Sequence, residues 1–206
     1  MKLFLVRHGE TQRNREGRVL GQGNQPLTEL GRRQVSAVAG AMAGESIAAL
    51  YTSPLKRAME TAGTIGLALG LQPQPADGLA EVNVGELDGL TSQEMRSRHP
   101  EFMARWEQDP GPARMPGGES LADLQDRAWQ VVLSILRDHP DEQVVAVSHN
   151  FPIETLVCQT LGLPLAGVRR LRVDLASVSI IDLQEGRNRL VRLNDTSHLA
   201  GVQPAD

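Results

Sequence analysis

The sequence predicts an α/β fold, a three-layer α/β/α sandwich built on a mostly parallel central sheet. Short apolar runs of β character alternate with longer stretches whose apolar residues recur at helical spacing, the pattern of a sheet covered by helices on both faces. Three of the runs, residues 2–6, 47–51 and 143–147, give way at once to polar or charged residues, as parallel strands do where their C-terminal ends border a ligand crevice. Two further runs, 177–183 and 189–193, are joined by the polar stretch 184–188 and read as an antiparallel hairpin at a sheet edge.

The elements follow in order. Lys2-Leu3-Phe4-Leu5-Val6 is short, apolar and β-compatible, a buried strand that delivers Arg7 and His8 to the sheet edge. A Gly- and Arg-rich loop then reaches Pro26, and Thr28 caps a helix running to about Met42 with Leu30, Val35, Val38 and Met42 on one face. After the second strand, Ser53-Pro54 supplies an N-cap followed by proline at the first helical position, and the helix extends from Leu55 to about Leu69. Residues 77–119 leave this rhythm with a loop around Glu81, a short helix opened by the capping box Thr91-Ser92-Gln93-Glu94, and a closing Pro/Gly-rich stretch from Asp109 to Gly118. A helix from about Ser120 to Arg137, the strand 143–147 and a helix beginning near Pro152 resume the alternation. Residues 77–119 therefore read as a lid-like insertion within one domain spanning residues 1–206.

Composition narrows the function. At 206 residues and 40% hydrophobic content the chain suffices for one well-buried domain and is short for two. Aromatics make up only 3%, leaving no platform on which bases stack, and the net charge of -4 also disfavours nucleic acid. A single cysteine, Cys158, excludes an internal disulfide and a cysteine-cluster metal site, and its apolar helical surroundings read as a buried, inert thiol. The four-residue apolar run after Lys2 is too short for a secretory leader, and no apolar stretch is long enough for a membrane span. A cytoplasmic protein with no membrane partner is expected, and the sequon at Asn194 is then idle.

The three strand ends carry the chemistry. On a parallel sheet, Arg7-His8, the Ser53-to-Arg57 segment and Ser148-His149 share one edge, so two imidazoles and two guanidiniums converge. That arrangement is costly unless an anion fills it, and phosphate suits the geometry of an arginine fork. His8, His149, Glu81 and Asp174 are possible metal ligands, but no His-Glu-x-x-His or comparable local pair occurs, and no metal or other cofactor is expected. Gly21-Gln22-Gly23 is no dinucleotide motif, because no strand directly precedes it and Pro26 interrupts the residues after it; loop flexibility accounts for it. Arg96, Arg98, His99, Arg105, Trp106 and Arg114 are for the most part a solvated amphipathic face.

Three strings, taken in order over most of the chain, resemble the histidine phosphatase superfamily, also called the phosphoglycerate mutase-like family. Leu5-Val6-Arg7-His8-Gly9-Glu10-Thr11 is similar to its signature, Thr52-Ser53-Pro54-Leu55-Lys56-Arg57 to its second phosphate-binding segment, and Val147-Ser148-His149 to its second-histidine segment. The resemblance implies a phosphoglycerate mutase-like fold, with His8 as nucleophile forming a phosphohistidine and Arg7, Arg57 and His149 holding the phosphoryl oxygens. It also implies that the second ring nitrogen of His8 donates to a fixed carbonyl, that backbone N–H groups around Gly9 and Asn150 extend the cradle, and that the Asn14 amide donates to phosphate. Glu81, in Glu-Val-Asn-Val-Gly, is similar to the family's general acid; burial beside phosphate is expected to raise its pKa, whereas Glu86 is peripheral.

The family contains hydrolases and mutases that use the same intermediate. The short stretch before the second histidine ends in Met115-Pro116-Gly117-Gly118-Glu119-Ser120, which with Leu193-Asn194-Asp195-Thr196-Ser197-His198-Leu199 is similar to the small broad-specificity phosphatases, while Arg18-Val19-Leu20-Gly21 is closer to the α-ribazole phosphatases. The expected activity is a phosphomonoesterase acting on a small phosphorylated metabolite and releasing inorganic phosphate. The alternatives are a cofactor-dependent phosphoglycerate mutase and, less favoured because His8 and Glu81 are both present, a non-catalytic phospho-ligand binder. Asn150 stands where a glycine is common after the second histidine, and Asn24 where an aspartate is.

Overall fold

The computed structural model describes residues 1–184 and 187–202. Among them a six-stranded sheet runs in the order β3-β2-β4-β1-β5-β6, formed by β1 (Lys2–Arg7), β2 (Ile47–Thr52), β3 (Pro73–Pro75), β4 (Gln143–Ser148), β5 (Val178–Asp182) and β6 (Arg189–Asp195). β1, β2, β3 and β4 are parallel; β5 is antiparallel to both β1 and β6. The hairpin expected at the edge is present as β5 and β6. Two residues of its expected loop, Glu185 and Gly186, lie outside the described residues.

Period-two side-chain alternation sorts the strand residues between the two helical layers. Leu3, Leu5, Ala49, Val144 and Ala146 join one apolar cluster with Ala128, Val132 and Ile135 of α6 (Leu121–Asp138) and Ile153, Leu156 and Val157 of α7 (Asn150–Leu161). Phe4, Val6, Leu50, Val145 and Val147 join the opposite cluster with Val38, Ala39 and Met42 of α2 (Glu29–Met42) and Ala58, Ala62 and Ile65 of α3 (Lys56–Leu69). The three-layer sandwich is thus written into the strands. Register then sets the site, because Arg7 pairs with Ser148, and Val147 with Thr52, so that β1, β4 and β2 end side by side.

Local signals account for most boundaries. Thr28 caps α2 by accepting from the Gly31 N–H, and Ser120 forms a capping box with Asp123 at the start of α6. At α3 the structure corrects the expected start: Leu55, not Ser53, is the N-cap, and it makes no side-chain cap hydrogen bond. Ser53 instead accepts from the Leu55 N–H and faces His149. Two elements stand where the sequence suggested only loop, the one-turn α1 (Gln12–Arg15) and β3, whose prolines are tolerated at a sheet edge.

Residues 77–119 contain 3-10 turns at Asp77–Leu79 and Gly85–Leu87, then α4 (Ser92–Arg98), opened by the expected Thr91–Glu94 capping box, and α5 (Pro100–Gln108), a helix that the sequence pattern does not predict. Val82, Val84, Leu87, Phe102 and Met115 form a third apolar cluster with Leu121, Leu124 and Cys158, fastening the segment to α6 and α7. No helix among the described residues is long and apolar enough to cross a membrane.

Candidate active site

His8 follows the last residue of β1 and is 3% exposed. Its Nδ1 lies 2.7 Å from the Gly9 carbonyl, an acceptor only, so Nδ1 carries the proton and Nε2 keeps its lone pair. Arg57 Nε donates to that Nε2 at 3.1 Å and to His149 Nδ1 at 3.2 Å. With Nδ1 accepting, His149 holds its proton on Nε2 and donates it to Ser53 Oγ at 2.7 Å. Burial and the neighbouring Arg57 are the leading reasons that both imidazoles are held well below the usual histidine range, with Arg7 acting in the same direction. Both rings are neutral at pH 7, and His8 presents an unprotonated Nε2 whose lone pair accepts from Arg57.

Arg57 occupies the first turn of α3 and is fully buried, which rules out its being a solvated charge paired with Glu60; that carboxylate instead accepts from the Leu27 N–H. Its outer nitrogens donate to the Gly23 and Gly21 carbonyls at 2.9 and 2.8 Å. Loop flexibility therefore does not account for Gly21-Gln22-Gly23: these carbonyls seat the arginine, and a Cβ on Gly21 would lie 2.5 Å from a Val84 methyl. Burial lowers the Arg57 pKa to about 10, still cationic at neutral pH.

Arg7 donates through one Nη to the Asn150 side-chain oxygen at 3.0 Å and to the Val173 carbonyl at 2.5 Å. Its buried Nε has no hydrogen-bond partner among the described residues. An unpaired N–H on a buried cation is a large desolvation cost that an anion removes. Asn150 is consequently a holder of Arg7, and its amide also meets the Glu154 carboxyl, a contact that needs a side chain glycine lacks.

Glu81 is 5% exposed and accepts from the Val82 N–H at 2.8 Å and from the Phe151 N–H in the first turn of α7. Desolvation dominates and raises its pKa, although those two N–H groups and the two arginines oppose it. Its loop is tied down from two sides. Ser148 Oγ donates to the Leu79 carbonyl at 2.7 Å, while Arg127 of α6 donates to the Gly78, Ala80 and Glu81 carbonyls and pairs with Glu119. Glu86 is exposed, in keeping with a peripheral position.

Of two further expected phosphate donors, one is directed elsewhere and one keeps its donor available. The Gly9 N–H is directed at Thr61 Oγ1, 3.3 Å away, and a Cβ at Gly9 would sit 2.6 Å from the Gly31 carbonyl, so this glycine serves the close approach to α2 and not the cradle. Asn14 Oδ1 accepts from the Thr11 N–H and hydroxyl at the start of α1, leaving only its Nδ2 to donate elsewhere. Asp174 pairs with Arg172 and Asn194. Within residues 77–119, Arg96 pairs with Glu107 and Arg114 with Asp123 at the exposed surface, whereas Trp106 packs edge-on against Phe151 of α7. Sequence reasoning does not reach Ser53, Arg127, Glu154 or the carbonyls of Gly21 and Gly23 as parts of the site. Only the glycines and the strand-end serine carry any local signal.

A neutral imidazole with an unprotonated nitrogen, one fully buried and one partly buried guanidinium, and a buried carboxyl of raised pKa make a site suited to nucleophilic attack on an anionic group. The chain belongs to the histidine phosphatase superfamily (branch 1), whose model matches residues 3–196. It is 35% identical to Phosphoserine phosphatase 1 of Hydrogenobacter thermophilus over 97% of this chain and 94% of that protein. Among solved structures it is similar to YhfR of Bacillus stearothermophilus, with TM-score 0.90 and 32% identity over 96% of this chain and 98% of that one. It is also similar to the mycobacterial glucosyl-3-phosphoglycerate phosphatase Rv2419c solved with VO3, with TM-score 0.85 and 31% identity over 94% and 98% of the two chains. Some curated mycobacterial relatives, 40% identical, are longer, and the chain spans 55% of their length.

Proposed function

We infer that the protein is a phosphomonoesterase that removes phosphate from small metabolites through a phosphohistidine on His8. The observation that carries this reading is the His8 tautomer, with Nδ1–H tied to Gly9 and an unprotonated Nε2 that accepts from Arg57, a bond the guanidinium exchanges for the phosphoryl oxygens when the ester binds. Nε2 attacks phosphorus in line, the bond to the ester oxygen breaks, and Glu81 supplies the proton that the departing alkoxide needs. Glu81 then removes a proton from the water that attacks the phosphohistidine, which releases inorganic phosphate and restores the free imidazole. Arg57 and the unpaired Nε of Arg7 supply positive charge to the equatorial oxygens, and the Asn14 Nδ2 and the Asn150 backbone N–H complete the cradle. A dianion beside His149 raises the affinity of its Nδ1 for a proton and so adds a donor.

Residues 77–119 act as the lid over this edge, a reading supported by the Trp106–Phe151 contact next to the Glu81 anchor. The two phosphatases named above favour hydrolysis of metabolite phosphates over mutase chemistry. The deciding experiment incubates the protein with a panel of phosphate monoesters that includes p-nitrophenyl phosphate, 2- and 3-phosphoglycerate and the bisphosphate primer. Phosphate release, lost in His8→Ala, is expected, together with an acid-labile phosphoprotein on quenching. Isomer formation without net phosphate release would replace the hydrolase by the mutase.

A further inference from the structure

The C-terminal segment 194–198 lies outside the site described above, yet it holds the turn on which both Arg7 and His8 rest. Among the described residues two non-glycine positions have positive φ, Ala176 at 56° and Asn194 at 55°, and they belong to one hydrogen-bonded assembly. The Ala176 N–H donates to the His8 carbonyl at 3.1 Å, the Ser177 carbonyl accepts from the Arg7 N–H at 3.1 Å, and the Val173 carbonyl accepts from the Arg7 guanidinium. The turn from Val173 to Ser177 thus fixes the backbone of the nucleophile and both ends of the first arginine.

What fixes the turn comes from the C-terminal segment. His198 Nε2 lies 2.8 Å from the Ala176 carbonyl, to which it can only donate. Asn194 Oδ1 accepts from the Asp174 N–H at 2.6 Å, Asn194 Nδ2 donates to the Asp174 carboxylate at 2.9 Å, and the Asn194 N–H donates to Ser179 Oγ at 3.0 Å. A left-handed conformation is unfavourable for an alanine, and it persists only where the surroundings over-determine it. Here His198 grips one end of that residue and the His8 carbonyl the other.

We propose that Asn194 and His198 are positioning residues for phosphoryl transfer, acting through the Val173–Ser177 turn to hold Arg7 and the His8 backbone in register. The proposal rests on the phosphatase reading for its activity test and on geometry alone for a second one. Displacement of reacting groups by a fraction of an ångström to an ångström suppresses the chemical step more than binding, so His198→Ala and Asn194→Gly should lower kcat on p-nitrophenyl phosphate about ten- to a hundredfold with a much smaller change in KM. Asn194→Gly keeps the positive φ accessible and deletes only the side-chain bonds. His198→Gln keeps an N–H donor and should restore most of the rate.

The parallel readout is the 15N NMR signature of the His8 ring, whose protonated Nδ1 should shift or broaden in His198→Ala and recover in His198→Gln. If the wild-type protein proves inactive on every ester, the phosphatase reading fails and the NMR comparison still decides the brace. The proposal is overturned by folded His198→Ala and Asn194→Gly proteins with kcat within about twofold of wild type. It is equally overturned if His198→Gln loses as much rate as His198→Ala, or if the His8 signal is unchanged in all variants. Should His198→Ala not fold, Asn194→Gly and His198→Gln carry the same comparison.

Discussion

Glu81 and Glu154 are both buried acids, but the structure gives them different neighbours and so different consequences. Glu81 lies near Arg57 and Arg7, and in the proposed mechanism its proton is the one a leaving alkoxide takes. Glu81→Gln should therefore slow turnover of an alkyl phosphate about 10²- to 10⁴-fold while leaving inhibition by inorganic phosphate nearly unchanged. Unchanged alkyl phosphate turnover in that variant would remove Glu81 from the mechanism. Glu154, in α7, is pushed up to about 8 by desolvation, with the Glu81 charge adding to the rise and the Asn150 contact opposing it. A carboxyl whose folded pKa lies above its unfolded value contributes stability that is complete below about pH 4.5 and is lost as pH rises toward 8. Glu154→Gln should accordingly raise the Tm more at pH 8 than at pH 5, by on the order of 1–4 kcal/mol of stability at the higher pH. Equal melting shifts at the two pH values would contradict the burial argument. His8 and His149 act with the opposite sign: their folded pKa values are depressed, so they contribute stability above the ordinary histidine value and withdraw it as pH falls below that value.

Legibility in the sequence divides cleanly at the scale of elements. The strands β1, β2 and β4, the caps Thr28 and Thr91, and the hairpin are readable because each rests on a local rule: an apolar run, a side chain reaching its own helix, or a short polar connection. The convergence of Arg7, His8, Arg57 and His149 follows from strand direction alone. The features that escape reading depend on partners distant in sequence. Ser53 looks like a cap until His149, contributed by another strand end, takes its hydroxyl, and Arg127 looks like one more helix-surface cation until the Glu81 loop packs against it. Two predictions belong here. Arg127→Ala should lower kcat without abolishing phosphate binding, since it frees the carbonyls of Gly78, Ala80 and Glu81 and leaves the arginine pair in place; titration with inorganic phosphate alongside turnover tests this. Ser120→Ala should cost about 0.5–2 kcal/mol of stability in denaturant titration with little effect on activity, because its contribution is the α6 cap.

For the molecule as a whole, the sheet edge concentrates buried positive charge in a chain of net charge -4, so overall sign says little about what the site accepts. A ligand that binds only the folded state stabilises it by RT ln(1 + [L]/Kd), about 2.7 kcal/mol at a hundredfold excess over Kd. Inorganic phosphate and vanadate should therefore raise the Tm of the wild-type protein, and Arg7→Ala should lose most of that increase. A phosphate-dependent shift that survives intact in Arg7→Ala would place the anion elsewhere. The 690 Å³ groove lined by Leu27, Arg32, Glu60, Leu67, Leu71 and Pro73 is separate from the strand ends and contains none of the catalytic set.

The seating of Arg57 on the Gly21 and Gly23 carbonyls has a consequence for selectivity. Residues 21–23 hold the guanidinium that, in the proposed mechanism, receives the phosphoryl group. On that mechanism, an alcohol moiety that presses on this loop is felt directly by the group proposed to stabilise the transition state. Discrimination between esters of different alcohols should then emerge as differences in turnover number as much as in apparent affinity, and a substitution in the loop should reorder substrates by how fast they react once bound.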